Sequence, residues 1–267
     1  MRKQSSSLLL LAGLLQPLSG QVLPTPATTD LHEARRSQYS VMSRKIFAGP
    51  KQSDAERQAV NSMPVAQVED VTGRLHDLLV EEIDTVLGGQ NTSAKDVVNA
   101  VQNMLGDTSL SLWDAQSTNT PWAAFISLNG APVLAASYGI VRGGGALPNT
   151  HSYLEFYELG NGAPHLKTAA NLDFDGRTLY VAQVDAGLAG QAWILAWGRA
   201  FGDTGGRLRL RLYAFDGTEV RTIWQRDELT WGQVTVSGGA VTLEYDKRYH
   251  SSERVRETLY VTPDGLK

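Results

Sequence analysis

The chain has 267 residues, 42% of them hydrophobic and 19% charged, which is enough apolar material for a substantial core and excludes wholesale disorder. Lys and Arg number 24 against 28 Asp and Glu, a net charge of −4, and no basic block is long enough to track a phosphate backbone, so nucleic acid is not an expected partner. There is no cysteine, which removes disulfides, thiolate metal ligands and cysteine nucleophiles together.

Residues 1–20, MRKQSSSLLLLAGLLQPLSG, carry a positive start at Arg2 and Lys3, an apolar run from Leu8 to Leu15 and then small or turn-forming residues. That layout predicts a secretory signal peptide cut after Gly20, or as late as Ala27. Gln16 and Pro17 interrupt the run before it reaches membrane-spanning length, so no stable span is expected after cleavage. Export without cysteine points to a bacterial periplasm or the medium.

Residues 21–63 are rich in Thr, Ser, Pro, Gln and charge and read as a flexible or weakly helical tether. A helix over 31–47 has sparse apolar positions without a sustained period, which fits equally a segment that orders on contact.

Residues 64–109 are expected as a helical hairpin. Val68, Val71, Leu75, Leu78, Leu79, Ile83 and Val86 recur at three- and four-residue intervals behind Pro64, and Gly88-Gly89 stops the run. Ser93 with Asp96 opens a second helix bearing Val97, Val101, Met104 and Leu105, closed by Gly106. Asn91-Thr92-Ser93 matches a glycosylation sequon, but Ser93 is better used as the helix cap. Two such helices cannot bury their stripes on each other alone, so they are expected to dock on the following sheet or to mediate self-association.

From residue 110 to 267 the period becomes alternating, and about a dozen short strands are expected as an antiparallel meander. Asn129-Gly130 sets Ile126 against Val133 and Phe125 against Leu134; Gly238-Gly239 sets Val236 against Val241, Thr235 against Thr242 and Val234 against Leu243. A three-residue loop Phe215-Asp216-Gly217 with a left-handed Gly217 would align Leu208, Leu210 and Leu212 with Trp224, Thr222 and Val220, and bring Arg211 opposite Arg221. Leu179–Val184 and Ala192–Trp197 are apolar on both faces, which calls for a sandwiched sheet.

The fold class is therefore α+β, an N-terminal helical hairpin packed on a larger antiparallel β-meander that curls or forms a sandwich. The segment Leu208–Tyr245, with RLYAFDGTEVRTIW followed by VTVSGGAVTLEY, resembles strands of a propeller blade of the quinoprotein or sensor kind in its hairpin rhythm. About a dozen strands make only three blades, so the resemblance implies a partial propeller-like arrangement as the alternative.

Each candidate site has a plainer reading beside it. Asn171, Asp173, Asp175 and Gly176 reproduce the opening of a calcium loop, but Ala182 stands where the bidentate Glu belongs, and an Asp-Gly turn before a strand explains the same residues. Carboxylates for glycoside hydrolysis are available in Glu155 between Tyr153 and Tyr157, in Glu244 with Asp246, and in Asp227-Glu228, none fixed by spacing. Trp193 with Trp197, and Trp224 with Trp231, would suit a carbohydrate platform or a core. His32, His76, His151, His165 and His250 are scattered, and Gly143-Gly144-Gly145 reads as a flexible loop. Arg207, Arg209 and Arg211 alternate with leucines as a cationic strip on an exposed strand face. No catalytic, metal or cofactor set emerges. The sequence points to a non-enzymatic secreted or periplasmic binding module with an envelope protein or a glycan as partner, the alternative being a secreted carbohydrate-active hydrolase.

Overall fold

The computed structural model describes residues 26–48, 52–106, 121–144, 149–160, 163–172, 176–185, 190–202, 205–248 and 251–267. The segment read as a signal peptide, together with Asp173, Asp175 and His250, lies outside these residues.

Among the described residues four helices, α1 (Pro26–Ile46), α2 (Asp54–Asn61), α3 (Val65–Leu87) and α4 (Ala94–Leu105), precede every strand but a two-residue one that follows α1. The expected hairpin is α3 and α4. Pro64 stands immediately before α3, and the Ser93 hydroxyl and Asp96 carboxylate form a reciprocal capping box at the start of α4. The stretch read as a tether contains α1 and α2. Helix α1 packs on α3 and α4 and buries Tyr39 and Ile46, while α2 opens with its own Ser53–Glu56 capping box.

Among the described residues the β region is three sheets, each an antiparallel meander in chain order. The first comprises β2 (Trp122–Leu128), β3 (Ala131–Gly144), β4 (Asn149–Glu158) and β5 (His165–Leu172). A two-residue strand β1 (Phe47–Ala48) adds to it by pairing in parallel with Gly143 and Gly144, so those glycines extend β3 rather than forming a loop. The second contains β6 (Gly176–Val184), β7 (Ala192–Gly202), β8 (Gly205–Phe215) and β9 (Val220–Thr230). The third contains β10 (Gln233–Ser237), β11 (Ala240–Asp246), β12 (Arg254–Thr262) and β13 (Gly265–Leu266).

Alternation of side chains along each strand divides the interior into three cores. Leu134, Ala136, Tyr138, Ile140, Tyr153 and Tyr157 of the first sheet meet Leu75, Leu79, Ile83, Val97 and Val101 of the helices. Its other face, with Ile126, Val133, Ala135, Leu154 and Phe156, meets Ile194, Ala196, Tyr213 and Phe215 of the second sheet, where the Phe156 and Phe215 rings stack at 4.1 Å. The second sheet's far face, with Trp193, Leu195, Leu210 and Leu212, packs on Val241, Leu243 and Leu266 of the third. The order is thus helices, sheet, sheet, sheet: an α+β fold whose β part is a series of curled antiparallel sheets, a half-barrel. The helical stripes are spent within the chain, on the first sheet.

Both two-residue hairpins have the expected registers, including Ile126 with Val133 and Thr235 with Thr242. The third hairpin differs. Leu212 faces Trp224, Phe215 faces Val220, and a bulge follows Leu212. Asp216 Oδ1 accepts hydrogen bonds from the Thr218 amide, the Thr218 hydroxyl and the Glu219 amide, which lengthens the loop to Asp216–Glu219. Gly217 is left-handed as expected (φ 98°), but Arg211 now faces Gln225 instead of Arg221. Among the described residues no helix is long and apolar enough to cross a membrane.

Candidate functional site

Strand β4 reads His151, Tyr153, Glu155, Tyr157 on one face and Ser152, Leu154, Phe156 on the other. The first set lies beneath α3. Glu155 is therefore fully buried, at 0% exposure, in the middle of the helix–sheet interface. Its carboxylate accepts hydrogen bonds from the Tyr138 hydroxyl on β3 (2.9 Å) and the Tyr157 hydroxyl (2.5 Å), and His76 Nε2 on α3 approaches to 2.6 Å. The His76 ring stacks on Tyr153 at 4.3 Å, and Tyr153 stacks on His151 at 4.9 Å.

The electrostatics follow from burial. Desolvation first, and then the neighbouring Glu155 carboxylate, push the Tyr138 and Tyr157 phenols far up and Tyr153 to about 12. The two phenols that meet Glu155 stay protonated as donors. Tyr138 and His76 meet the same oxygen, Oε1, while Tyr157 meets Oε2. Asp84, two turns along α3, has an oxygen buried without a hydrogen-bond partner, and burial raises its carboxyl above the usual range.

A second buried carboxylate lies on the other side of α3. Glu82, 4% exposed, meets His32 Nδ1 at 2.5 Å and Arg35 Nη1 at 3.2 Å, both from α1. Arg35 also donates to Thr85 Oγ1. An ionic contact, rather than an apolar stripe, thus supplements Tyr39 and Ile46 in holding α1 down.

The remaining candidates disperse. Asp227 pairs with Arg211, Glu244 with Arg256 and Asp246 with Arg254. Arg211 is 8% exposed and shares its face of β8 with Tyr213 and Phe215, which corrects the reading of the arginine strip as a solvated face. Asn171 Oδ1 accepts a hydrogen bond from His151 Nε2 across the strands at 3.1 Å. Trp193 is core, Trp197 and Trp224 pack at its margin, and Trp231 is exposed. His32 and His76 serve carboxylates 50 and 79 residues away, pairings with no sequence signal. Among the described residues no three His, Asp or Glu side chains converge as metal ligands would.

The third sheet presents its outer face. Across β10, β11 and β12 the outward rows are Ser237, Ala240, Tyr260; then Thr235, Thr242, Thr258; then Gln233, Glu244, Arg256. Beyond them Asp246 faces Arg254, whose Nη2 donates to the Trp231 carbonyl. Comparison with protein families, with curated proteins and with solved structures finds no match to this chain.

Proposed function

We propose that this chain is an exported, non-enzymatic binding module of the bacterial envelope. The observation that carries this reading is the state of Glu155. The carboxylate best placed by sequence for hydrolysis is sealed under α3 with its oxygens already taken by two phenols and a histidine, so it meets no substrate. A retaining or inverting hydrolase needs two carboxylates facing each other across an open groove, whereas Glu244, Asp246 and Asp227 each hold a neighbouring arginine. What the described residues offer outward includes a polar face on the third sheet. Buried networks of this kind specify one arrangement of helices on sheet, which suits a platform better than a reaction centre.

The test is incubation of the purified protein with isolated cell envelopes and with soluble glycans, following both retention and release of reducing ends. Saturable retention without products is expected. Product release at constant specific activity through repurification would overturn the reading, and its loss in Glu155→Gln would restore the hydrolase alternative.

A further inference from the structure

We infer that the outer face of the third sheet is a binding surface for a neutral, linear glycan, with Trp231 and Tyr260 as its stacking residues. The inference rests on the binding-module reading above and names its ligand class.

Trp231 carries the first argument. It is 40% exposed, and its backbone lies in the left-handed region at φ 51°, where a bulky side chain is a true outlier. Two features hold it there. Arg254 Nη2 donates to its carbonyl at 3.2 Å, and the next residue, Gly232, is buried so closely that a Cβ would stand 2.7 Å from Leu208 Cδ2. Gly232 is buried against the core between the second and third sheets, Gln233 after it opens β10 on the outward face, and Arg254, which holds the Trp231 carbonyl, stands in the outward row opposite Asp246. Strain retained at an exposed aromatic is an observation from which function is properly inferred.

The second argument is the face itself. Tyr260 is 62% exposed at the end of the face opposite Trp231. Same-face rows repeat at roughly 6–7 Å along a strand, so Tyr260 stands three rows, roughly 20 Å, from Arg254, whose guanidinium holds the Trp231 carbonyl. Between them lie Thr235, Thr242, Thr258 and Gln233, all hydrogen-bonding groups, with Thr242 and Thr258 already within 3.2 Å of each other. The charges cancel: Glu244 pairs with Arg256 and Asp246 with Arg254. An anionic or cationic polymer gains nothing from such a face. A sugar chain offers apolar C–H faces to aromatic rings and a rim of hydroxyls to threonine, glutamine and paired charges, and it matches the surface in length, charge and polarity.

The experiment is native affinity electrophoresis of the full chain through gels containing hydroxyethylcellulose, a soluble β-1,3-glucan, dextran or polygalacturonate. Retardation by at least one neutral glucan and not by polygalacturonate is expected. Trp231→Ala, Trp231→Gly and Tyr260→Ala should each weaken it about tenfold, the scale of truncating an aromatic anchor, while Phe125→Ser on the first sheet leaves it unchanged. Trp231→Gly removes the ring and relieves the backbone strain together, so it separates binding from misfolding. No retardation by any neutral glucan, retardation by polygalacturonate alone, or retardation indifferent to the Trp231 and Tyr260 variants would each overturn the inference. Envelope retention that persists without glycan binding defeats this inference and leaves the broader reading standing, whereas product release defeats the broader reading itself.

Discussion

His76 Nε2 on α3 and Glu155 Oε1 on β4, 79 residues apart in the chain, meet at 2.6 Å inside the helix–sheet interface. The carboxylate has left water completely, so its three donors offset a large desolvation cost. Removing the carboxylate strands two buried phenols and a half-buried imidazole. Glu155→Ala is expected to destabilise the fold by about 3 kcal/mol, in the range for breaking one side of a buried charged cluster. Glu155→Gln keeps the shape and an acceptor and should lose less, about 1–2 kcal/mol. Urea unfolding followed by tryptophan fluorescence measures both, and a loss within error of zero for Glu155→Ala would show that the cluster contributes nothing net.

Asp84 makes the opposite contribution. Burial raises its carboxyl above the ordinary 3.8, because the charged form is disfavoured and one oxygen lacks a donor. A folded value above the unfolded one means that the folded state binds the proton more tightly. The penalty is fully present above the folded value and is relieved as the pH falls through it toward 3.8. Asp84→Asn should therefore be more stable than the parent at neutral pH, with the difference fading in acid. Paired urea midpoints across that range check the sign.

The turns and helix ends were legible in the sequence because they are local. Asn129-Gly130 and Gly238-Gly239 admit one tight geometry each, so Ile126–Val133 and Thr235–Thr242 follow by counting. Ser93 with Asp96 is equally local. The Asp216 loop misled because three hydrogen bonds to one carboxylate oxygen add a residue to it, which no hydrophobic pattern reports. Alternation places Tyr153, Glu155 and Tyr157 together on one face, yet it cannot say that this is the buried face, since a His-Tyr-Glu-Tyr row reads as the wet side of a strand. A helix over 31–47 is one of two readings that the pattern leaves open, and what the pattern cannot give is its seat: His32 and Arg35 look like solvated charge until Glu82 is placed beneath them.

Gly232 tests how tightly the second and third sheets are joined. A Cβ there would lie 2.7 Å from Leu208 Cδ2 and 3.0 Å from Leu208 Cβ, and Leu208 is itself core. Gly232→Ala is expected to cost about 1–3 kcal/mol, the usual scale of overpacking. Gly238→Ala, whose Cβ meets nothing within 4 Å but whose φ of 57° is left-handed, separates backbone strain from crowding. Thermal unfolding of the two variants side by side distinguishes the causes.

Asp216 closes the β8–β9 loop from the surface. Its carboxylate, held by the Thr218 hydroxyl first and then by the Glu219 and Thr218 amides, has its value lowered from 3.8 to about 2. A folded value below the unfolded one gives stability that is present above 3.8 and lost as the pH falls through about 2. Asp216→Asn retains an acceptor for the amides but not the charge, whereas Asp216→Ala removes both. The parent should exceed Asp216→Ala in stability at neutral pH and lose that margin between 3.8 and about 2, with Asp216→Asn between them. A carboxyl titration by NMR that places Asp216 at an ordinary value would contradict the loop geometry, and with it the bulged register that sets Leu212 against Trp224.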